Sequence, residues 1–353
     1  GEPTGILLET AMELVDSQIP ALTPSDLAEK MLNAQDKLFQ MGVVGVHDFD
    51  RWESLEALQL LANDPRFKLR VVKNLPAESI EQIEARDLRE EIRQLGLIPG
   101  WLKCFADGAL GPQSAAMLEP YEGSQDSGLL LMTADDVLEV GIRAARAGWP
   151  LAVHAIGDAA NHAVLDGLTR LRQYEAEHGL PALPHRVEHV QCLHPDDVDR
   201  FKKLGLVAST QPLHATSDCD VADKYWGHRC QTAYAYGSLA RSGAFQVFGS
   251  DAPVESPNPF WGMHAGVTRS RQSRPTSQPW YPHQRLELLD CLAGYSQRPA
   301  QLSGSPAGWL EVGRPADLIV LDQDPSRMDP NDLFQVKPLL TMVNGEIVFS
   351  SLE

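Results

Sequence analysis

The chain reads as a parallel α/β protein, and three observations carry that reading. Short, nearly continuous apolar runs rich in Val, Ile and Leu recur along the first 250 residues, as in strands covered on both faces. Stretches with helical periodicity lie between them, several closed by glycine. The alternation persists over most of the chain, as a parallel sheet with crossover helices requires.

Seven strands are expected in order: "GVVGVHDF" (42–49), "KLRVVKNL" (68–75), "WLKCFAD" (101–107), "PLAVHAIG" (150–157), "HRVEHV" (185–190), "LVASTQ" (206–211) and "AFQVFGS" (244–250). Among the helices between them, "SIEQIEARDLREEIRQLG" (79–96) has helical period and a glycine stop. "TADDVLEVGIRAARAG" (133–148) opens with Thr133 and Asp136 at capping-box spacing. "HPDDVDRFKKLG" (194–205) places a proline and two aspartates in its first turn, where they suit the helix dipole. An open doubly wound sheet holds seven strands; a (β/α)8 barrel needs one more. No GxGxxG or GxxxxGK[ST] follows the first strand, which argues against a dinucleotide or nucleotide fold.

The pattern changes after residue 251. A loop rich in Pro, Ser and Trp is expected over 252–284, long enough to cover or bind a ligand. A helix over 285–304 follows, then the strands "ADLIVLD" (316–322) and "LLTMVNGEIVFS" (339–350), the second carrying an Asn344-Gly345 hairpin turn. The expected division is the parallel α/β unit over 1–305 and a small β appendage over 306–353.

With 353 residues, the chain is long enough for one large α/β barrel and an appendage, or for two ordinary domains. A net charge of −18 argues against nucleic acid as partner. Five scattered cysteines with no CxxC pair argue against a disulfide framework or a zinc ribbon. No apolar stretch approaches about 20 residues, so no membrane span is expected. The N-terminus has no signal-peptide pattern, and the expected location is cytoplasmic.

Reactive side chains fall where parallel strands end. Lys103 lies in the third strand, His154 late in the fourth, His189 late in the fifth, and Asp251 directly after the seventh. Ligands of parallel α/β folds gather at the carboxyl ends of strands, and two imidazoles, a carboxylate and a lysine suit a divalent metal in hydrolysis. Each residue also has an ordinary reading. A strand histidine often packs with a hydrogen bond, Lys103 could snorkel or pair with an acid, and Asp251 could cap its loop. His47 and Asp48 sit at a comparable strand end, with pocket-lining and structural roles both open.

Several segments together resemble the amidohydrolase superfamily: "WLKCFADGALGPQSAAMLEPYEG", "VHAIGDAANHAVLDGL", "HRVEHVQ", "STQPLHATSD", "AFQVFGSDAPVESPNPFWGMHAGVTR" and "GWLEVGRPADLIVLDQDP". The branch they are most similar to includes N-substituted formamide deformylase and other metal-dependent hydrolases. The resemblance implies a distorted (β/α)8 TIM-type barrel with a small β-sandwich built from both chain ends, the seven strands being strands two to eight. It implies that Lys103, carboxylated, and His154, His189 and Asp251 bind divalent metal, zinc first, with iron or manganese as alternatives. It makes Asp251 the catalytic proton shuttle. The reaction implied is attack by a metal-bound hydroxide on an amide-type, non-peptide carbon–nitrogen bond of a small molecule. His214, Arg229 and Tyr234 are candidate substrate contacts from the loops at that face, with structural roles open for each.

The family carries a His-x-His pair at the end of strand one, and this sequence contains none. Its opening residues, "GEPTGILLETA", resemble a stretch that follows that motif. The expectation is therefore an incomplete barrel lacking strand one, and half a sandwich with exposed edges, which leaves a homo-oligomer open. Two other readings stand beside the hydrolase: an aldolase-like barrel using Lys103 as a Schiff base, and a catalytically impaired or non-catalytic binding or regulatory homologue.

Overall fold

The computed structural model describes residues 5, 7, 9–273 and 278–352. Residues 1–4, 6 and 8 of "GEPTGILLETA" and residues 274–277 of the expected 252–284 loop lie outside that set.

All seven expected strands form, in one parallel sheet whose spatial order is the sequence order. They are β1 (Gly45–Asp48), β2 (Arg70–Pro76), β3 (Ile98–Phe105), β4 (Leu151–Ala155), β5 (Arg186–His189), β6 (Val207–Thr210) and β7 (Phe245–Phe248). β4, β5 and β6 are buried at every position; β4 is apolar apart from His154, whereas β5 buries Arg186, Glu188 and His189 beside a single apolar residue, Val187. The sheet is curled, because β1 and β5, four places apart in the order, meet through their side chains: Arg186 Nη1 donates to His47 Nδ1 at 3.0 Å. β1 and β7 are its two edges.

The main core lies between the sheet and the surrounding helices, with Leu102, Leu151, Val153, Val187 and Ala208 facing Val137, Leu165, Leu168 and Phe201. A second core, around Tyr121, Ile156, Trp226, Tyr234, Tyr236 and Phe260, packs the loops at the carboxyl ends of the strands. It holds the rim of the cup rigid.

The C-terminal segment forms an antiparallel sheet in the order β10-β9-β8, built from β8 (Leu318–Leu321), β9 (Pro338–Val343) and β10 (Glu346–Ser350). Asn344 and Gly345, both at positive φ, make the turn between β9 and β10. This sheet docks on the helix Pro24–Gln40, where Thr341 Oγ1 donates to the Phe39 carbonyl at 2.7 Å. Arg70 of β2 and Asp317 also pair across this junction at 2.5 Å.

Two expected helices are each divided. The 79–96 stretch forms Ile80–Ala85 and Leu88–Gln94, with Arg86 extended and the Asp87 side chain accepting from the Glu90 amide. Asp87 competes for the backbone and starts a new helix instead of continuing the old one. The 285–304 stretch forms Leu288–Tyr295 and Gln297–Ser303. Breaking at Ser296 puts Pro299 in a first turn, where its missing N–H costs nothing. The 252–284 loop contains a helix, Pro259–Thr268, capped by Asn258 Oδ1 on the Phe260 amide. The Thr133–Asp136 capping box forms as expected.

His264, on the helix Pro259–Thr268, is fully buried with no hydrogen-bond partner on either ring nitrogen, and its ring lies 5.2 Å from that of Phe334. Burial pulls its pKa down to about 4. The unfolded chain, with an ordinary histidine near 6.5, takes up that proton first as pH falls. Stability from this site is therefore complete above about pH 6.5 and is lost towards pH 4, by up to about 3 kcal/mol. Urea denaturation at pH 7, 5.5 and 4 is expected to show His264→Phe losing less stability than wild type over that interval. Parallel losses in the two proteins would contradict it.

Candidate active site

The parallel register puts the expected site residues on one face. Lys103 pairs with Ala152, Phe105 with His154, and His154 with Glu188. Directly paired residues of parallel strands project to the same side, so Lys103, Phe105, His154 and Glu188 share the concave face. His189, one residue beyond Glu188, has the opposite parity. The chain leaves regular strand geometry there, with φ of +74 at His189 and +49 at Val190. That turn brings the His189 ring edge-on to His154, with centroids 4.6 Å apart. Left-handed geometry at a β-branched valine costs roughly 1–3 kcal/mol and persists only where the surroundings enforce it.

Each of these two rings is held by one nitrogen. His154 Nε2 lies 2.9 Å from the Gly108 carbonyl oxygen, which only accepts, so the ring donates from Nε2 and the neutral ring has its lone pair on Nδ1. His189 Nδ1 lies 3.0 Å from Gln211 Oε1, so it donates from Nδ1 and leaves the lone pair on Nε2. Burial, then the neighbouring His154, hold the His189 pKa well below the usual histidine value, which keeps that lone pair bare.

Lys103 Nζ sits over the rings of Phe105 and Phe49, 4.8 and 5.2 Å from their centroids. Burial lowers its pKa, with Glu188 and Asp251 opposing that shift. Asp251 is exposed at the rim, in left-handed backbone with φ of +57. Lys103, His154 and His189 therefore lie together at the concave face, and Asp251 stands at its rim. Among the described residues, no group of three His, Cys, Asp or Glu is clustered so as to hold a metal ion.

Beneath them lies a charged floor. Arg186, 2% exposed, stands over the rings of Trp101 and Phe49 at 4.5 and 4.9 Å and pairs with Glu188 at 2.5 Å. His47 stacks on Trp101, and burial and Arg186 push its pKa well down. His47 thus faces the interior, whereas Asp48 points away to Lys73, Nζ to Oδ2 2.9 Å.

The substrate-contact candidates separate. His214 is buried, lies parallel to His189 with centroids 6.4 Å apart, and has Nδ1 3.3 Å from Gln191 Nε2. Tyr234 hydroxyl donates to Asp218 at 2.7 Å and has a longer contact to Gln191 Oε1 at 3.3 Å. Arg229 is directed elsewhere: it donates to the carbonyls of Trp226, Glu119, Pro120 and Tyr225. It braces one rim loop against another.

A model of the amidohydrolase family matches residues 1–349. The chain belongs to that family. Amidohydrolase relatives include the YtcJ protein of Bacillus subtilis, 28% identical over 362 residues that cover 99% of this chain and 66% of YtcJ. N-substituted formamide deformylase of Arthrobacter pascens is 25% identical over 370 residues, 98% of this chain and 65% of the deformylase. The crystal structure of an uncharacterised metal-dependent hydrolase from Pyrococcus horikoshii superposes with a TM-score of 0.77 at 26% identity, covering 94% of this chain and 67% of that one. This amidohydrolase chain thus spans about two thirds of the length of these relatives, and its curled sheet is the TIM-type fold of the family with seven strands in place.

Sequence reasoning missed the residues that set the site in place, Gln211, Gln191 and Asp107 above all. The Asp107 carboxylate is buried and accepts from the amides of Ala116, Ile156 and Gly157 at 2.8–3.0 Å, with Oδ1 3.4 Å from His154 Nε2. Its signal in the sequence was only its place before the Gly108 turn. Asp107→Ala leaves three buried amides without an acceptor, and each such group costs about 1–3 kcal/mol. The variant is expected to lose about 3 kcal/mol or more in urea denaturation. A loss under about 1 kcal/mol would show that water replaces the carboxylate.

Proposed function

We propose that this amidohydrolase is metal-dependent and cleaves amide-type, non-peptide carbon–nitrogen bonds of a small molecule. One observation carries the reading: His154 and His189 are each anchored through one ring nitrogen, which leaves the other to face the space they share near Lys103. Anchoring of this kind by carbonyl or amide oxygen is what orients metal-binding imidazoles. The relative named as an N-substituted formamide deformylase supports the bond type.

A divalent ion, zinc first with iron or manganese as alternatives, would be held by His154, His189, Asp251 and carboxylated Lys103. Bound there, it supplies Lewis acidity, polarising the substrate carbonyl and making water nucleophilic near neutral pH. Lys103 contributes only after its amine adds to CO2, forming a carbamate and releasing a proton, because an ammonium has no lone pair. That converts a cation into an anionic oxygen donor and completes a set that the imidazoles alone do not make. Asp251, at the exposed rim, accepts the proton of the attacking water and returns it to the departing nitrogen. His214 and Tyr234 line the substrate side.

The competing reading is a catalytically impaired or non-catalytic binding homologue. It is favoured by the lack of a three-ligand cluster among the described His, Cys, Asp and Glu residues. Metal analysis after purification with zinc and bicarbonate separates the two readings. The hydrolase reading expects bound zinc and chelator-sensitive turnover of N-benzylformamide; a metal-free protein overturns it. Lys103→Ala is expected to abolish zinc uptake, and unchanged zinc content would remove the carbamate from the ligand set. Asp251→Asn is expected to lower kcat by roughly 10²–10⁴-fold, the usual worth of a positioned acid–base group. An unchanged kcat would assign proton transfer to another residue.

A further inference from the structure

His214 is 5% exposed, yet its Nε2 is buried without a hydrogen-bond partner. A buried polar atom of this kind is costly unless something pairs with it. Its Nδ1 faces the side-chain amide nitrogen of Gln191 at 3.3 Å. Gln191 is itself fixed: its carbonyl accepts the Tyr234 amide at 2.5 Å, and its Oε1 lies against the Tyr234 hydroxyl. Tyr234 shares its single hydroxyl proton between Asp218 Oδ2 at 2.7 Å and Gln191 Oε1 at 3.3 Å and lies in the rim core with Trp226 and Tyr236.

We propose that the Gln191–Tyr234–Asp218 chain holds His214 as the Nε2–H tautomer, so that this nitrogen is a built hydrogen-bond donor for the carbonyl oxygen of the substrate. An amide NH2 presents only protons, so the His214 nitrogen facing it is the bare one and the ring proton sits on Nε2. The ring lies parallel to His189, one imidazole away from the pair formed by His154 and His189. A donor there selects ligands by an oxygen acceptor and disfavours those that present only N–H groups at that point, because two donors facing each other leave both unpaired. Gln191 and Tyr234 are positioning residues; only His214 touches the ligand. The inference deepens the hydrolase reading and rests on it for the identity of the ligand, but the tautomer does not.

The test uses the full chain with 15N-labelled histidine, with His214 assigned by comparison with His214→Asn. Two-bond proton–nitrogen spectra report which ring nitrogen carries the proton. Wild type is expected to give Nε2–H at His214; an Nδ1–H pattern overturns the proposal with no variant needed. Gln191→Glu replaces the NH2 donor by an acceptor and is expected to move the proton to Nδ1. N,N-dimethylformamide, which has a carbonyl acceptor and no N–H, is expected to shift the His214 Nε2 signal saturably. Its apparent affinity should fall at least fivefold in Gln191→Glu, and equal affinity in the two proteins also overturns the proposal. Failure of the hydrolase reading looks different: no zinc-supported turnover, with the His214 tautomer and the dimethylformamide shift intact.

Discussion

The site depends on one buried carboxylate. Asp107 joins the end of β3 to the turn after β4 by accepting from Ile156 and Gly157, and it folds its own loop back by accepting from Ala116. The resulting contact is close enough to dictate sequence. A Cβ on Gly157 would lie 1.8 Å from the Ala116 carbonyl oxygen, so glycine is required there on grounds of space. The next residue, Gly108, then presents the carbonyl that fixes His154. One acid thus sets the backbone of two strand ends and, through its neighbour, the tautomer of the His154 ring.

The floor of the cup answers a different constraint. β1 and β7 are not bonded to each other, so the curl has no closed hydrogen-bond ladder to maintain it. Side chains brace it instead. Arg186 reaches from β5 to His47 of β1 while its face covers Phe49 and Trp101 and its charge is met by Glu188. Arginine suits this place because a planar, weakly hydrated cation stacks on rings and pairs with a carboxylate at once. A second consequence is electrostatic: a permanent cation lies beneath Lys103 and works with burial against its ammonium form.

Most strands were legible because parallel strands buried on both faces are rich in apolar and small residues, as "PLAVHAIG" is, whereas "HRVEHV" was legible from its place in the alternation. Strand order then followed from the alternation, and the placing of Lys103 and His154 on one face from the register of parallel strands. Helix continuity was less legible, because the breaks at Asp87 and before Pro299 come from single residues competing with a good periodic pattern. The supporting residues were hidden for another reason. Asp107, Gln191 and Gln211 act through partners 9 to 50 positions away, and no local pattern marks a side chain whose role is a distant hydrogen bond. Arg229 shows the converse: a plausible residue in a plausible loop, whose donors all go to backbone carbonyls.

The three imidazoles at the rim also differ in what they present, and the difference follows from what each neighbour can give. Gly108 and Gln211 offer oxygen, so His154 and His189 must donate to them and turn lone pairs towards the shared space. Gln191 offers an amide NH2, so His214 must accept from it and turn a proton outward. Two lone pairs and one proton within a few ångströms, with a desolvated lysine and a rim carboxylate, form an uneven field. Electron donors gather on one side, where a cation is stabilised, and a proton donor lies on the other, where oxygen is. On the proposed reading, an amide polarised between those two sides would present its carbon to water, as hydrolysis of its carbon–nitrogen bond requires.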